Sequence, residues 1–465
     1  MLKLNWVLSS INGELVDRQN SPSLPKLENL SFSGVSTDSR RIRKDELFFA
    51  LSGDNFDGHD FVSEALDKGA KGAVVERIVG GIKTNGKVLI KVPSTLRAFG
   101  DLASAWRRSF VDLKLAAITG SNGKTTTKEM AWSILSVKFC VLKNTDNLNN
   151  LVGLPMTLLR IAESHEAAVV ELGMNEFGEI QRLAEIALPD TGAITNIGRA
   201  HLEKLGGIEG VAKAKGELVE AFTEHNTFVV NMDDPWVRKI AEGARCKKIT
   251  FGVNSPGVDI SAKNISPVDF SAIRFNMIVG ESDFPVRIRG IGLHNVMNAL
   301  CAAGVGLSLG CSPDEIQAGL ERFTPAYMRL EVMDTPFGFK IINDAYNANP
   351  DSMRRGIEEL ARLRGKGRAI AVLGDMLELG EMSENEHVAL GQFLAEKELD
   401  FVITRGRYGT DILRGVDGKI EGTFVESHEE AAEVLIRMAK PGDLVLIKGS
   451  RGMRMEDIIR RLFER

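Results

Sequence analysis

The chain has 465 residues, of which 43% are hydrophobic and 26% are charged, and its formal net charge is -5 at pH 7. This composition is ordinary for a globular protein, and the length allows roughly three domains of about 150 residues each. The net negative charge argues against nucleic acid or an anionic membrane as the main partner. Local basic groups must therefore meet any anionic substrate.

No segment predicts export or membrane insertion. Residues 1–20 lack an uninterrupted apolar core between a basic head and a cleavage site, and no later apolar run approaches bilayer length. We therefore expect a cytoplasmic protein, and we expect it to act as a monomer. The cysteines lack paired metal spacing, so we expect small buried thiols, no disulfide and no zinc at Cys140, Cys246, Cys301 and Cys311.

Short apolar segments alternate with helical patterns along most of the chain. This alternation predicts an α/β fold with parallel sheets flanked by helices. Residues 254–290 instead show short alternating strands, which indicate a β-rich elaboration. The clearest predicted strands cover residues 88–92, 168–170, 228–230, 369–373 and 444–447.

We predict three domains, at residues 1–98, 99–312 and 313–465. An amphipathic helix over residues 96–110 follows the first change of pattern. The last domain begins again with a strand, a loop and a helix that starts at Ser352. Loops at the carboxyl ends of parallel strands bind ligands, so one rim of its sheet should be lined by residues 344–350, 374–381 and 448–455.

A glycine-rich loop, GSNGKTTT at residues 120–127, lies between a predicted strand over 113–118 and a predicted helix over 125–137. Gly120 and Gly123 permit backbone geometry that turns amide hydrogens inward, and the start of the helix attracts phosphate. Lys124 would reach the β- and γ-phosphates, and Thr125 would hold Mg²⁺. The two glycines are closer together than in the usual P-loop, but the context predicts a nucleoside triphosphate site.

Three further residues suggest phosphate chemistry, each with a simpler alternative. Glu171 and His201 each follow a predicted strand, so both could face the phosphates. Glu171 could equally cap the next helix, and His201 could be a capping or core group. Lys215, with Lys213, lies in a charged amphipathic stretch, for which spacing alone favours a solvated helix face.

Asparagines form two further groups. Asn295 and Asn298 are three residues apart and share a helix face, so their amides could meet an adenine edge, although Asn295 could also cap the helix. The cluster in NLNNLVGLP could be ordinary turn and capping chemistry. His387 is a candidate base by type and position, but a solvated helix histidine is the favoured interpretation, so the base stays unassigned.

Several segments together resemble the Mur ligase family of ATP-dependent amide-forming enzymes. They are STDSRRIRKDELFFALSGDNFDGHDF, GSNGKTTT, DAYNANPDSM and LGDMLELGEMSENEH, and the resemblance spans nearly the whole chain. It implies a UDP-binding first domain, a central P-loop-type ATPase domain with a parallel sheet, and a Rossmann-like C-terminal domain that binds D-alanyl-D-alanine. The last two segments resemble the member that adds this dipeptide to UDP-N-acetylmuramoyl-tripeptide.

The resemblance also implies roles for individual residues. It places ATP at Gly120, Ser121, Asn122, Gly123, Lys124, Thr125, Thr126, Asn295, Asn298, Arg329 and Asp344. It places the UDP-sugar peptide and the dipeptide at Ser39, Arg40, Asn55, Phe56, Asn147, Asn149, Asn150, Arg182, Asn347 and Asn349. It implies two Mg²⁺ sites, with ligands from Thr125, Glu171, His201 and a carbamylated Lys215, and a catalytic set of Lys124, Glu171, His201 and Lys215.

The implied reaction activates a carboxylate by γ-phosphoryl transfer and then forms an amide from the resulting acyl phosphate. Both partners of the transfer are anionic, so magnesium and lysine are the expected clamps. A ligase for another muramoyl peptide would carry a DNPR-type motif, which is absent here, and folylpolyglutamate synthase lacks the uridine-binding domain. A nucleotide-switched binding protein remains a different class of function.

Overall fold

The computed structural model describes residues 1–16, 27, 29–53, 56–78, 86–145 and 147–464. These residues form two compact units. The first unit contains Met1–Leu115, Leu142–Gly173 and Gln181–Pro189, and the second contains Ala116–Val141, Met174–Ile180 and Asp190–Arg465.

The strands follow in chain order. They are β1 (Leu2–Lys3), β2 (Glu14–Leu15), β3 (Ser31–Phe32), β4 (Val35–Ser36), β5 (Leu47–Phe49), β6 (Ser52–Gly53), β7 (Phe56–Asp57), β8 (Gly72–Val75), β9 (Val88–Lys91), β10 (Lys114–Thr119), β11 (Val141–Lys143), β12 (Ala167–Glu171), β13 (Thr191–Ile194), β14 (Thr227–Asn231), β15 (Lys247–Gly252), β16 (Ile260–Pro267), β17 (Ala272–Val279), β18 (Ser282–Arg289), β19 (Glu331–Asp334), β20 (Lys340–Asp344), β21 (Ala369–Leu373), β22 (Phe401–Arg405), β23 (Glu421–Val425) and β24 (Leu444–Lys448).

The helices lie between these strands. The α-helices are Leu4–Ile11, Val62–Asp67, Thr95–Arg108, Lys124–Leu135, Gly153–Leu158, Glu179–Ala187, Leu202–Leu205, Ile208–Glu220, Pro235–Gly243, Leu293–Ser308, Pro313–Arg322, Pro350–Leu363, Ser383–Glu396, Gly409–Val416, His428–Met438 and Glu456–Phe463. Short 3₁₀ helices cover Gly58–Phe61, Gly380–Met382 and Arg451–Met453.

The first unit contains a five-stranded sheet in the order β2-β9-β8-β5-β4. Its strands pair in parallel except for the antiparallel edge strand β2. The helix predicted over residues 96–110 covers Thr95–Arg108. Ser94 caps it, because the Ser94 side chain accepts a hydrogen bond from the Arg97 amide. Its Phe99 ring packs against Phe49 of the sheet, with 5.0 Å between ring centroids.

A second sheet carries the phosphate loop. Strands β10, β13, β14 and β15 pair in parallel in that order, and β16 continues in parallel beside β15. Strands β17 and β18 then extend the sheet as an antiparallel meander, as predicted for residues 254–290. Because β10 and β13 run side by side, the loops after Thr119 and Ile194 leave the same edge.

The last sheet has the order β19-β20-β24-β21-β22-β23, and it is parallel except for β19. Buried Ile, Val and Leu side chains fill both faces of its central strands, as expected for a parallel sheet covered by helices. Strands β20, β24, β21 and β22 therefore end on one rim. The predicted parallel α/β architecture is confirmed.

Two expectations can be compared with burial. Cys246, Cys301 and Cys311 are buried thiols, but the expectation was wrong for Cys140, which is exposed. Cys140 follows the last turn after helix Lys124–Leu135, where the chain reaches the surface before β11. Of the helices in the described ranges, none is both long enough and apolar enough to cross a lipid bilayer.

Candidate active site

The phosphate loop adopts the predicted strand, loop and helix arrangement. Gly123 precedes helix Lys124–Leu135 with φ of 81°, and Gly120 has φ of 142°. A Cβ atom on Gly123 would lie 2.3 Å from the Asn298 Oδ1 atom, and one on Gly120 would lie 1.9 Å from the Thr195 Oγ1 atom. Both positions therefore require glycine for backbone conformation and for space.

The segment after β13 braces this loop. The Ser121 hydroxyl donates to the Gly198 carbonyl at 3.1 Å and accepts from the Gly198 amide at 2.9 Å. The Asn122 carbonyl accepts from the Thr195 hydroxyl at 2.6 Å and from the Asn196 amide group at 2.9 Å. These bonds hold the loop in shape from its side.

Lys124 and Asn122 carry the polar groups of the loop. The Lys124 ammonium donates to the Gly120 carbonyl at 2.7 Å, so its side chain folds back over the loop. Among the residues that the structure describes, the Asn122 Nδ2 group is buried and finds no hydrogen-bond acceptor. A buried amide donor without an acceptor is costly, so this site suits an added anionic oxygen. Thr126 is half-buried in the first helical turn.

Arg329 reaches the phosphate-loop helix. Its Nη2 atom donates to the Thr125 hydroxyl at 2.9 Å, and its guanidinium lies 4.1 Å from the centroid of the Tyr346 ring. Arg329 is therefore not a simple surface charge, and its contact with nucleotide phosphates stays a prediction.

Asn295 and Asn298 are both buried near the start of helix Leu293–Ser308. The Asn298 Oδ1 atom accepts from the Thr127 hydroxyl at 3.3 Å, and its Nδ2 atom donates to the Asn295 Oδ1 atom at 3.3 Å. Asn295 also donates to the Ile291 carbonyl at 2.7 Å. The residue at the cap position is Gly292, so Asn295 does not cap this helix. Both amides instead lie beside the phosphate-loop helix.

The rim of the last sheet carries a buried ion pair. The Lys448 ammonium donates to the Asp344 carboxylate at 2.5 Å and to the Asn347 carbonyl at 3.0 Å, and Lys448 is 2% exposed. The Asn347 side chain accepts from the Arg451 amide at 3.3 Å. The sequence places Lys448 on the same rim as Asp344 but gives it no role, because it does not show which residues pair across the rim.

Asn349 has two contacts. Its Oδ1 atom accepts from the Ser352 amide at 2.9 Å and forms a capping box for helix Pro350–Leu363. Its Nδ2 atom donates to the Asn122 Oδ1 atom at 2.9 Å. The structure therefore places Asn349 beside the phosphate loop, and its role toward the dipeptide stays a prediction.

His201 adopts the left-handed backbone conformation, with φ of 55°. Its Nδ1 atom lies 2.7 Å from a carboxylate oxygen of Glu378, and this hydrogen bond holds the pKa of Glu378 below its ordinary value. Glu378 belongs to the LGDMLELG loop and also has a positive φ of 64°. Sequence reasoning did not assign Glu378, because a loop carboxylate carries no pattern that names its partner.

Lys215 and Lys213 have opposite environments on helix Ile208–Glu220. Lys215 is 1% exposed, whereas Lys213 lies at the surface, where its ammonium is 5.7 Å from the Phe177 ring centroid. The solvated-face interpretation therefore fails for Lys215 and holds for Lys213. A buried lysine is rare unless chemistry or pairing requires it.

Glu171 ends strand β12 in the first unit and is buried. The Asn149 amide group donates to its carboxylate at 2.8 Å, while Asn144 bonds to the Glu171 main chain. Asn150 accepts from the Val152 and Gly153 amides in the turn that leads into helix Gly153–Leu158, whose cap residue is Val152. For Asn150 the turn interpretation fits these contacts, whereas Asn149 holds the carboxylate.

The other first-unit candidates form separate clusters. Arg182 pairs with Asp101 at 2.5 Å. The Ser39 hydroxyl lies 3.4 Å from a Glu64 carboxylate oxygen. The Asn147 carbonyl accepts from the Asn149 amide at 2.8 Å.

Two of the predicted UDP contacts lie at the surface. Arg40 is exposed, and its hydrogen bond to Asp38 lowers the pKa of that carboxyl to about 2. Phe56 is 59% exposed, as suits a ring that receives a ligand. Asn55 lies outside the described residues.

The expectation of a solvated His387 was wrong. The ring is buried, its Nε2 atom accepts from the Met376 amide at 2.9 Å, and its Nδ1 atom contacts the Ser383 carbonyl at 2.6 Å. Burial lowers the pKa of His387. The Nε2 atom holds the LGDMLELG loop through Met376, whereas the Nδ1 atom contacts the first residue of the histidine's own helix, so His387 supports the rim.

Comparison with known proteins identifies the family. Family profiles match three segments, described as "Mur ligase family, catalytic domain" at residues 31–107, "Mur ligase middle domain" at 118–306 and "Mur ligase, glutamate ligase domain" at 328–451. The UDP-N-acetylmuramoyl-tripeptide--D-alanyl-D-alanine ligase of Bacillus subtilis is 37% identical over 95% of this chain and 95% of its own. The chain belongs to the Mur ligase family.

Solved structures agree with this assignment. The crystal structure of MurF from Acinetobacter baumannii is similar to this Mur ligase with a TM-score of 0.90 and 33% identity, covering 100% of this chain and 99% of that one. The MurF ligase from Thermotoga maritima, solved in complex with ADP, has a TM-score of 0.83 and 30% identity, covering 92% and 96%. The predicted three-domain Mur ligase fold is confirmed, while the exact domain boundaries stay predictions.

Proposed function

We propose that this Mur ligase uses ATP to join D-alanyl-D-alanine to UDP-N-acetylmuramoyl-tripeptide, giving the pentapeptide precursor of peptidoglycan, ADP and phosphate. The observation that carries this proposal is the similarity along the whole chain to ligases of that name. The phosphate-loop geometry supports the ATP-dependent part of the reaction independently.

The phosphates of ATP occupy the loop at residues 120–126. The start of helix Lys124–Leu135 supplies main-chain donors, Lys124 supplies a positive charge, and the buried Asn122 Nδ2 group supplies a donor. Arg329 reaches the same helical turn. Preorganised donors of this kind stabilise the charge that develops as the γ-phosphoryl group moves.

The reaction has two steps. A carboxylate oxygen of the tripeptide attacks the γ-phosphorus, the bond to the bridging oxygen breaks, and ADP leaves. The amine of the dipeptide then attacks the acyl carbonyl, one proton is lost from nitrogen, and inorganic phosphate leaves. Water would hydrolyse the intermediate, so the site must exclude it between the steps.

Magnesium fits the donor set. Within the described part of the chain, no three His, Cys, Asp or Glu side chains cluster in a way that could hold a metal ion. The Thr125 hydroxyl and the phosphate oxygens of ATP would supply oxygen ligands at the phosphate loop. Mg²⁺ prefers such oxygen ligands, and it neutralises phosphate charge when bound. We assign Thr125, Glu171, His201 and carbamylated Lys215 to the two expected ions.

Carbamylation accounts for the burial of Lys215. The ammonium first loses a proton, and the neutral amine then adds to carbon dioxide and loses a second proton, which leaves a carboxylate suited to a metal. Lys213, which is exposed on the same helix, has no such environment.

The remaining contacts follow from position. Asn295 and Asn298 recognise adenine, and Asp344, oriented by Lys448, accepts from the ribose hydroxyls. UDP is held by Ser39, Arg40, Asn55 and Phe56, and the muramoyl peptide by Asn147, Asn149, Asn150 and Arg182. Asn347 and Asn349 face the dipeptide side. The enzyme acts in the cytoplasm, as a monomer, on these small-molecule substrates.

The deciding experiment measures ADP release from ATP and Mg²⁺ with UDP-N-acetylmuramoyl-tripeptide, in the presence or absence of D-alanyl-D-alanine. Release that requires the dipeptide, with a product heavier by one dipeptide unit, is the expected result. Release that ignores the dipeptide and yields no new mass would leave a nucleotide-switched binding protein. Glutamate and folyl substrates serve as the control for a folylpolyglutamate synthase.

A further inference from the structure

Arg199 is the least expected residue on the rim of the phosphate-loop sheet. It follows Gly198, whose main chain braces Ser121, and precedes His201 by two positions. Its side chain does not contact the phosphate loop in any described hydrogen bond. It reaches instead to two helices of the last domain.

Two carboxylates hold the Arg199 side chain. The Nη1 atom donates to Glu386 at 3.0 Å and 3.4 Å, and the Nη2 atom donates to Asp351 at 3.3 Å. The other Asp351 oxygen accepts from the Arg199 main-chain amide at 2.8 Å. Glu386 is 6% exposed, so this contact is more shielded from solvent than a typical surface ion pair.

The residues on either side of this contact are closely packed. A Cβ atom on Gly198 would lie 2.4 Å from the Asp351 Oδ2 atom, so only glycine leaves room for the carboxylate. Asp351 is in the first turn of helix Pro350–Leu363, whose cap residue Asn349 contacts Asn122. Glu386 is on helix Ser383–Glu396, next to His387, which supports the LGDMLELG loop.

We propose that Arg199 is a positioning residue for the second step, which holds the dipeptide-binding rim of the last domain against the phosphate-loop edge. This inference rests on the proposed ligase function. Removal of the side chain leaves the main-chain bonds of Gly198 and of the Arg199 amide in place. The phosphate loop therefore keeps its bracing, and the loss falls on the attack by the dipeptide.

The test compares Arg199→Ala with wild type in two assays. Ligation is followed against dipeptide concentration, and acyl phosphate formation is followed without dipeptide by trapping with hydroxylamine. We expect the KM for D-alanyl-D-alanine to rise about tenfold, as for the loss of a charge-assisted hydrogen bond, while hydroxamate formation stays within about twofold. Arg199→Lys keeps the positive charge but loses the planar set of guanidinium donors. It should restore part of the affinity for D-alanyl-D-alanine.

Arg414→Ala is the matched control. Arg414 also bridges two carboxylates, Glu384 at 2.6 Å and Asp411 at 3.2 Å, and Glu384 lies on the same helix as Glu386. Its contacts stay within the last domain, so its dipeptide KM should not change. Equal losses in both assays for Arg199→Ala, or an unchanged dipeptide KM, would overturn the inference. Absence of ligation in wild type would instead overturn the proposed function.

Discussion

At the scale of single residues, burial distinguishes a candidate catalytic residue from a similar residue at the surface. Lys213 and Lys215 are equivalent in the sequence, yet only Lys215 is withdrawn from water. His387 is a candidate base by residue type, yet its buried ring supports the LGDMLELG loop. The burial of a side chain depends on which elements pack together, so it could not be predicted from the adjacent residues in the sequence.

Lys215→Arg should lower the rate of ADP release more than a hundredfold, because a guanidinium cannot form the carbamate and remains cationic. Lys213→Arg is the control and should keep activity within about twofold. A ¹³C NMR spectrum with labelled bicarbonate should show a carbamate signal in wild type and in Lys213→Arg only. Activity above one tenth of wild type in Lys215→Arg would contradict the assignment.

His387 should make the protein less stable in mild acid. Burial lowers its folded pKa below the unfolded value, so the unfolded chain binds a proton first as the pH falls below about 6.5. The free energy of unfolding should therefore be smaller at pH 5.5 than at pH 7.5. Urea denaturation at both pH values should show this loss in wild type and a smaller one in His387→Gln.

His225 provides the comparison for this effect. Its side chain is exposed, so His225→Gln should keep the wild-type difference between the two pH values. If His387→Gln keeps that difference as well, another group is responsible for the pH dependence.

At the scale of elements, the local features were predictable and the distant pairs were not. The phosphate loop, the helix before it and the meander at residues 260–289 each follow from a short stretch of sequence. The bond between Lys448 and Asp344 spans 104 residues, and that between Arg199 and Asp351 spans 152. No periodicity relates residues so far apart, so the fold had to bring them together before either could be assigned.

Gly123→Ala should weaken ATP binding at least tenfold, because the added methyl meets Asn298 and the backbone keeps a positive φ that alanine disfavours. Isothermal titration with a non-hydrolysable ATP analogue measures this change. Gly257→Ala is the control, since Gly257 has φ of 72° and open space around it. Equal affinity in the two variants would show that the close contact with Asn298 is unimportant.

At the scale of the whole molecule, the reaction requires movement. Asn349, Asp351 and Glu378 of the last domain contact Asn122, Arg199 and His201 at the phosphate-loop edge. The dipeptide must enter before the attack, and the product must leave afterwards. The contacts that bind the substrates and shield the acyl phosphate must therefore open and close in each turnover.

Small-angle scattering should detect this closure. The profile of the enzyme alone should differ from that with a non-hydrolysable ATP analogue, Mg²⁺ and UDP-N-acetylmuramoyl-tripeptide. The Arg199→Ala variant should need more dipeptide to reach the compact profile. Superimposable profiles for wild type with and without ligands would rule out a mobile last domain.

The contact between Asn349 and Asn122 brings two helix starts to one anion site. Helix Lys124–Leu135 begins at the phosphate loop, and helix Pro350–Leu363 begins at Asn349, 2.9 Å from the loop side chain. Each start carries about half a positive charge, so a bound nucleotide attracts the last domain electrostatically. Transfer of the γ-phosphoryl group moves negative charge within the site without removing it, so this attraction persists while the acyl phosphate is shielded and weakens when inorganic phosphate and ADP leave.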